Sequence, residues 1–64
     1  MKFRMKVTGL ANDVYSHKGS DGILALCKDP TDAVVYENEL QAFEDRKLII
    51  PNLPKQAKFE FEFL

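Results

Sequence analysis

The chain has one imidazole and one thiol, His17 and Cys27. A cysteine nucleophile needs a histidine within hydrogen-bond reach to take its proton. We expect the two residues on the two arms of a β-hairpin that turns at residues 19–22. A two-residue loop would place Cys27 on the opposite face from His17, and only an odd-length loop would place both on one face. The two-residue loop therefore predicts a structural cysteine and a partly exposed histidine, and no catalytic pair.

A loose group of carboxylates follows the hairpin, at Asp29, Asp32, Glu37 and Glu39. A calcium loop needs ligands at alternating positions around a turn glycine, and this segment has neither feature. A glycosidase-type carboxylate pair needs a cleft, for which so short a chain offers little room. One histidine and one cysteine are too few for an ordinary zinc site. We expect no catalytic residue, no metal site and no cofactor.

Length and charge restrict the remaining possibilities. The chain has 64 residues, with 9 Lys and Arg against 10 Asp and Glu, which predicts a single domain over residues 1–64. A core of this size supplies no more than about 3–5 kcal/mol, so we expect close packing or a homodimer. No run approaches the roughly 20 apolar residues of a membrane span. A lone cysteine suits a reducing compartment, so we expect a cytoplasmic protein that does not bind membranes.

Both ends of the chain have the pattern of half-buried strands. Residues 2–8 and 58–64 alternate strictly between apolar and charged side chains. We expect the apolar positions in the core, which are Phe3, Met5, Val7, Phe59, Phe61 and Phe63. The outward positions are basic in the first segment and mostly acidic in the last. Opposite charges across paired strands contribute about 0.2–1 kcal/mol each, so we expect the N- and C-terminal strands to be neighbours.

The middle of the chain predicts more strands and one helix. Residues 14–18 and 23–27 form the hairpin arms, and the second arm is so apolar that we expect a central strand covered on both faces. Residues 33–36 and 47–50 contain adjacent β-branched residues and are predicted as strands. Residues 38–45 predict a helix of about two turns that begins at Asn38. The expected fold is α+β and β-rich, a small antiparallel sheet or compact barrel of five to six short strands with one short helix.

Near-neutral charge without a catalytic constellation favours a non-enzymatic protein-interaction module that binds another protein. Chains of this size are often accessory or inhibitor proteins of phages or mobile elements, and we expect that role here. Residues near a turn and acidic residues on a helix are suited to contact a partner. The expected contact residues are Tyr15, His17, Lys18, Asp21, Glu37, Glu39, Glu44 and Asp45.

A second interpretation is a single-stranded nucleic-acid-binding β protein that works as a dimer. Such proteins place aromatic side chains beside basic residues on a β surface. The residues that would carry this function are Lys2, Arg4, Lys6, Tyr15 and Lys18. The acidic residues of the chain would repel phosphate, and the phenylalanines of the last strand alternate with glutamates as core residues do. This interpretation is therefore the alternative to protein binding.

Overall fold

The computed structural model describes residues 1–64, which form an open antiparallel sheet of four strands and one helix. The elements are β1 (Phe3–Thr8), β2 (Val14–Lys18), β3 (Leu24–Cys27), α1 (Glu39–Ile49) and β4 (Lys58–Phe63). Two 3-10 turns, Pro30–Asp32 and Ile50–Asn52, lie on either side of α1 in the chain. The strand order is β3-β2-β1-β4. No helix in the fold combines the length and the apolar character needed to cross a membrane.

The predicted neighbourhood of the terminal strands is confirmed. β1 and β4 pair antiparallel, with Arg4 opposite Glu62 and Lys6 opposite Glu60. The Arg4 guanidinium lies 3.1 Å from the Glu62 carboxylate, so the charge pattern of the two strands produces one direct ion pair. Lys6 instead contacts Asp13, at 3.5 Å. The rest of the prediction is partly wrong, since the sheet has four strands, not five or six, and does not close into a barrel.

One predicted strand, residues 47–50, is not formed, because most of it is helical. Residues 47–49 form the last turn of α1, which has 11 residues and so about three turns instead of two. Asn38 caps its start as predicted, because its side-chain oxygen accepts the Leu40 N–H at 2.8 Å. The β propensity of Ile49 is overridden because the helix places this residue on the same face as Ala42, in the core. Pro51 lacks an N–H group and ends the helical ladder.

The other predicted strand, residues 33–36, forms only one isolated β-bridge, between Tyr36 and Phe3. The backbone groups of Tyr36 and Phe3 exchange two hydrogen bonds, at 2.7 and 3.0 Å, and the Val34 N–H donates to the Ser16 carbonyl at 2.9 Å. β1 and β2 pair directly only at residues 6–7 and 14–15. Residues 34–36 therefore occupy the space where these two strands diverge, with too few paired residues to make a strand of their own.

β3 is an edge strand, which contradicts the prediction that it is central and covered on both faces. Ala25 and Leu26 are exposed, whereas β1 and β2 lie in the middle of the sheet. An apolar run shows that a segment can be buried, but its position in the sheet depends on which strands pair beside it. Here β3 pairs only with β2, so its second edge remains open.

The core lies between the sheet and α1. Phe3, Met5 and Val7 are buried, as the alternation predicts. The phenylalanines of β4 are less buried than predicted, because β4 is the second edge strand of the sheet. Phe59 and Phe61 are half-buried, and Phe63 is 55% exposed.

Gly9 lies where the end of β1 approaches the segment before β4. Gly9→Ala is expected to lower the free energy of unfolding by about 2 kcal/mol. Its φ is +82°, and a Cβ there would overlap the backbone carbonyl of Gln56. Gly22 is the matched control, since its φ is +79° but a Cβ would meet no atom within 4 Å. Gly22→Ala should cost only about 1 kcal/mol, from backbone strain alone. Urea unfolding measures both, and equal losses would contradict the close approach of Gln56.

Candidate functional site

A closed polar network in the core joins β2, the bridge segment and α1. The Tyr36 hydroxyl donates to Asp45 Oδ2 at 2.7 Å, so Ser16 Oγ, 3.0 Å away, must donate its own proton to the Tyr36 oxygen. Burial and the nearby Asp45 carboxylate raise the pKa of Tyr36 well above its usual value, despite the opposing Ser16 hydrogen bond. Gln41 Nε2 also donates to Asp45, at 3.3 Å. Ser16, Tyr36 and Asp45 are buried and satisfy one another, while the exposed Gln41 bonds to Asp45 from the surface, so the network is structural.

The residues predicted to contact a partner do not form one surface. Tyr15 and His17 lie on the face of the sheet opposite α1, together with Lys6, which pairs with Tyr15. Lys18 lies on the α1 side, 3.9 Å from Asp45. The remaining exposed members are spread over the hairpin loop, the start of α1 and its outer side, and are Asp21, Glu37, Glu39 and Glu44.

Two of these residues are not surface groups, which corrects the sequence interpretation. Asp45 is only 4% exposed, because the spacing of Ala42, Asp45 and Ile49 places all three on the buried face of α1. Tyr15 is 8% exposed, and its hydroxyl reaches Glu62 across β1 at 3.4 Å. Neither side chain offers its polar group freely to a partner.

The loop of the hairpin is odd in length, so the predicted separation of His17 and Cys27 is wrong. Lys18 pairs with Leu24 across residues 19–23, and His17 and Cys27 therefore lie on the same face. No hydrogen bond joins them: His17 Nδ1 lies 2.7 Å from the Asp32 carbonyl, and Cys27 Sγ donates to the Asp29 carbonyl at 3.4 Å. Burial, with the nearby carboxylates, raises the pKa of the Cys27 thiol, which favours its unreactive protonated form.

The basic residues that would bind nucleic acid each lie within 4.0 Å of a carboxylate of the protein itself. Lys2 lies 3.9 Å from Glu37, and the Asp13 carboxylate raises the pKa of Lys6. Arg4 and Lys18 also have carboxylate partners, and Lys18 points to the other side of the sheet. The buried ring of Tyr15 does not present a stacking platform. This geometry lends the alternative little support, and it stays a prediction.

A groove between α1 and β4 is the main concave feature of the surface. It consists of two adjoining pockets of about 510 and 230 Å³, and Arg46 and Phe59 line both. We call it the α1–β4 groove. The side chains that characterise it are Phe43, Arg46, Ile50, Leu53, Lys55, Lys58, Phe59 and Phe61. The larger pocket falls in the size range typical of ligand sites.

The groove combines an apolar floor with positive charge. The Arg46 guanidinium carbon lies 5.1 Å from the centroid of the Phe59 ring, in a cation–π contact. Lys55 and Lys58 are exposed at the larger pocket, and no carboxylate lines it. None of these three cations forms an ion pair, and Arg46 Nε is buried without a hydrogen-bond partner.

The outer edge of β4 runs beside this groove and is unpaired. The Lys2 carbonyl accepts from Leu64 N–H, while Phe3 bonds to Tyr36 on the other side of β1. Because hydrogen-bonding directions alternate along an antiparallel strand, the even-numbered residues of β1 and β4 bond to one another. The backbone N–H and C=O groups of the odd-numbered residues 59, 61 and 63 therefore face outward without partners.

The groove is not predicted from the sequence, because the alternation of β4 assigns its phenylalanines wholly to the core. The available signal was the aromatic mass of the last strand, whose outer edge has no second strand to cover it. Another signal was the pair of lysines before and at the start of that strand, Lys55 and Lys58. The side chains of His, Cys, Asp and Glu nowhere gather into a group of three that could hold a metal ion. Comparison with known proteins gives no further guide, since no family model, curated protein or solved structure matches this chain.

Proposed function

We propose that this protein is a non-enzymatic interaction module that binds another protein by adding an extended segment of that partner to the edge of β4. The observation that supports the proposal is the unpaired edge of β4 beside exposed aromatic side chains. Phe63 is 55% and Phe43 is 41% exposed, one at the end of the strand and the other across the groove. In strand addition, main-chain hydrogen bonds provide affinity and pockets for alternate side chains provide specificity.

The β4 edge suits this role better than the β3 edge. β4 has six residues and β3 has four, so β4 offers the longer row of backbone groups. A segment added to β4 would direct every second side chain toward the α1–β4 groove. Phe59 and Phe61 contribute to that groove from the same face of the strand, and Phe43 packs on Phe61 with ring centroids 5.8 Å apart.

We further propose an accessory or inhibitor role, of the kind found in phages or mobile elements, exercised in the cytoplasm. A protein that acts through a small binding surface alone works by covering part of its partner's surface. The single cysteine, Cys27, is free, which suits a reducing compartment.

Amide hydrogen exchange tests the proposed edge in two stages. In the free protein, the amides of residues 59, 61 and 63 should exchange at least about tenfold faster than those of residues 60 and 62, which bond to β1. Peptides are then selected from a random 12-residue library against the whole protein. A selected peptide should slow exchange at residues 59, 61 and 63 and leave residues 60 and 62 unchanged.

The alternatives give different results in the same assay. Selected peptides that protect other residues only would contradict the proposal. Slow exchange at residues 59, 61 and 63 in the free protein, with twice the monomer mass by light scattering, would instead indicate a homodimer through β4. Glu39→Lys and Glu44→Lys test the acidic helix surface that the sequence predicts. Both variants should bind the selected peptides normally, because neither residue lines the groove.

A further inference from the structure

We infer that the larger pocket of the α1–β4 groove receives an acidic segment of the partner protein, with an apolar side chain in the pocket and carboxylates beside Arg46, Lys55 and Lys58. This inference rests on the proposed strand addition at β4. It adds the chemical character of the segment and the place where its charges lie.

The distribution of positive charge supports an acidic ligand. The chain has nine Lys and Arg residues, and four of them lie within 4.0 Å of a carboxylate. Five cations remain without an ion pair, and three of these five line this one pocket. A pocket with three free cations and no carboxylate, in a protein with a net charge of −1, is complementary to negative charge.

Arg46 is held in a geometry that favours a carboxylate. Its guanidinium carbon lies over the Phe59 ring, 5.1 Å from the centroid, and its buried Nε has no hydrogen-bond partner. A guanidinium presents its donors in one plane, in a fork that matches the two oxygens of a carboxylate. Arg46 lines the pocket, so a carboxylate that enters it can meet the guanidinium donors.

The other walls of the pocket favour a peptide over a phosphate or a nucleic acid. Half of the lining residues are hydrophobic, and Ile50 and Leu53 among them need an apolar ligand group to cover them. The pocket also includes Lys58 and Phe59, the first two residues of β4. A peptide that leaves the pocket can therefore continue along the strand edge, where it donates and accepts the backbone hydrogen bonds that β4 lacks.

Two synthetic peptides test this inference. One ends in Glu-Leu-Glu, which reaches the larger pocket beyond residue 58, and continues with alternating leucine and threonine along β4. The other has glutamine in place of each glutamate. Titration of the whole protein, followed by the amide NMR signals of residues 46, 50, 53 and 55–59, should show about tenfold tighter binding of the glutamate peptide at low salt, and a smaller difference at physiological salt. Lys55→Glu and Lys58→Glu should each weaken the glutamate peptide about tenfold and leave the glutamine peptide nearly unchanged.

Lys28→Glu is the matched control, because Lys28 is another cation without an ion pair and lies outside the groove. It makes the same change of charge and should alter the affinity by less than about twofold. Equal binding of both peptides along β4 would overturn the inference and leave strand addition intact. Inorganic phosphate or a short oligonucleotide that displaces the glutamate peptide at equal concentration would also overturn it. If neither peptide binds, the inference fails, and the random-library selection still decides the proposed function separately.

Discussion

Phe3→Ala should leave the protein largely unfolded at 25 °C. Phe3 is 2% exposed, and its ring centroid lies 4.6 Å from that of Phe61 and 5.7 Å from that of Tyr36. Truncation of a buried phenylalanine costs about 3–5 kcal/mol, from lost burial and from the cavity that remains. That loss equals the about 3–5 kcal/mol that a core of this size supplies. The spread of amide NMR signals and urea unfolding measure the result.

Phe63→Ala is the control for this experiment. It removes the same side-chain atoms from the residue directly opposite Phe3 in the β1–β4 register, where the side chain is 55% exposed. We expect it to cost about 1 kcal/mol and to leave a folded protein, since the partly exposed ring loses little burial. If both variants lose the same stability, the core is not centred on Phe3.

Tyr36→Phe should lower the free energy of unfolding by about 2–3 kcal/mol, although it removes a single oxygen. The variant keeps the ring but loses the 2.7 Å hydrogen bond to the buried Asp45 carboxylate. Hydrogen bonds to charged groups contribute about 1.5–3 kcal/mol, and Ser16 Oγ also loses its acceptor. Tyr15→Phe makes the same chemical change where the hydrogen bond to Glu62 is long, at 3.4 Å, and should cost about 1 kcal/mol or less. Thermal or urea unfolding at neutral pH compares them, and similar losses would contradict the network.

The pH dependence of Tyr36→Phe provides a second check. Burial raises the pKa of Tyr36 in the folded protein above its usual value near 10, so the folded state keeps the phenol proton where the unfolded chain releases it. Stability from this group is therefore fully present below about pH 10 and declines as the pH rises further. Tyr36→Phe lacks this component, so its stability difference from the unmodified protein should shrink above pH 10. A constant difference across that range would show that Tyr36 titrates normally.

The network and the groove involve neighbouring sides of α1. Ala42, Asp45 and Ile49 face the core, so they fix the helix on the sheet. Phe43 and Arg46 follow two of these positions by one residue and extend toward β4, where they line the groove. The buried polar contacts of Asp45 thus position the side chains on which the proposed binding surface depends.

Several features could be predicted from the sequence because simple side-chain patterns indicate them. The alternation in residues 3–8 and 58–63 has the period of a strand, and the opposite charges of the two outer faces place these strands side by side. The start of α1 follows from Asn38, whose side chain satisfies a helix N–H close by in the chain. The hairpin arms follow from two segments, the second of them apolar, that are separated by turn residues.

The candidate site could not be predicted in this way, because it depends on how α1 packs beside β4, which no side-chain pattern in either segment shows. The phenylalanines of β4 have the alternation of core residues, and only the strand order leaves their outer edge unpaired. The acidic residues of α1 look equivalent in sequence, but packing against the sheet buries Asp45 and leaves Glu44 exposed. A charge pattern shows which side chains share a strand face, whereas a groove depends on how two elements meet.

The terminal strands and the helix start follow from the side-chain period and from contacts between near neighbours in the chain, and the pairing of the terminal strands follows from the opposite charges on their outer faces. Tertiary structure decided the length of α1, the edge position of β3 and the reduction of residues 34–36 to a bridge. In each of these cases local propensity leaves several conformations close in free energy. Burial against the rest of the chain selects one: Ile49 becomes helical because that conformation places its side chain in the core.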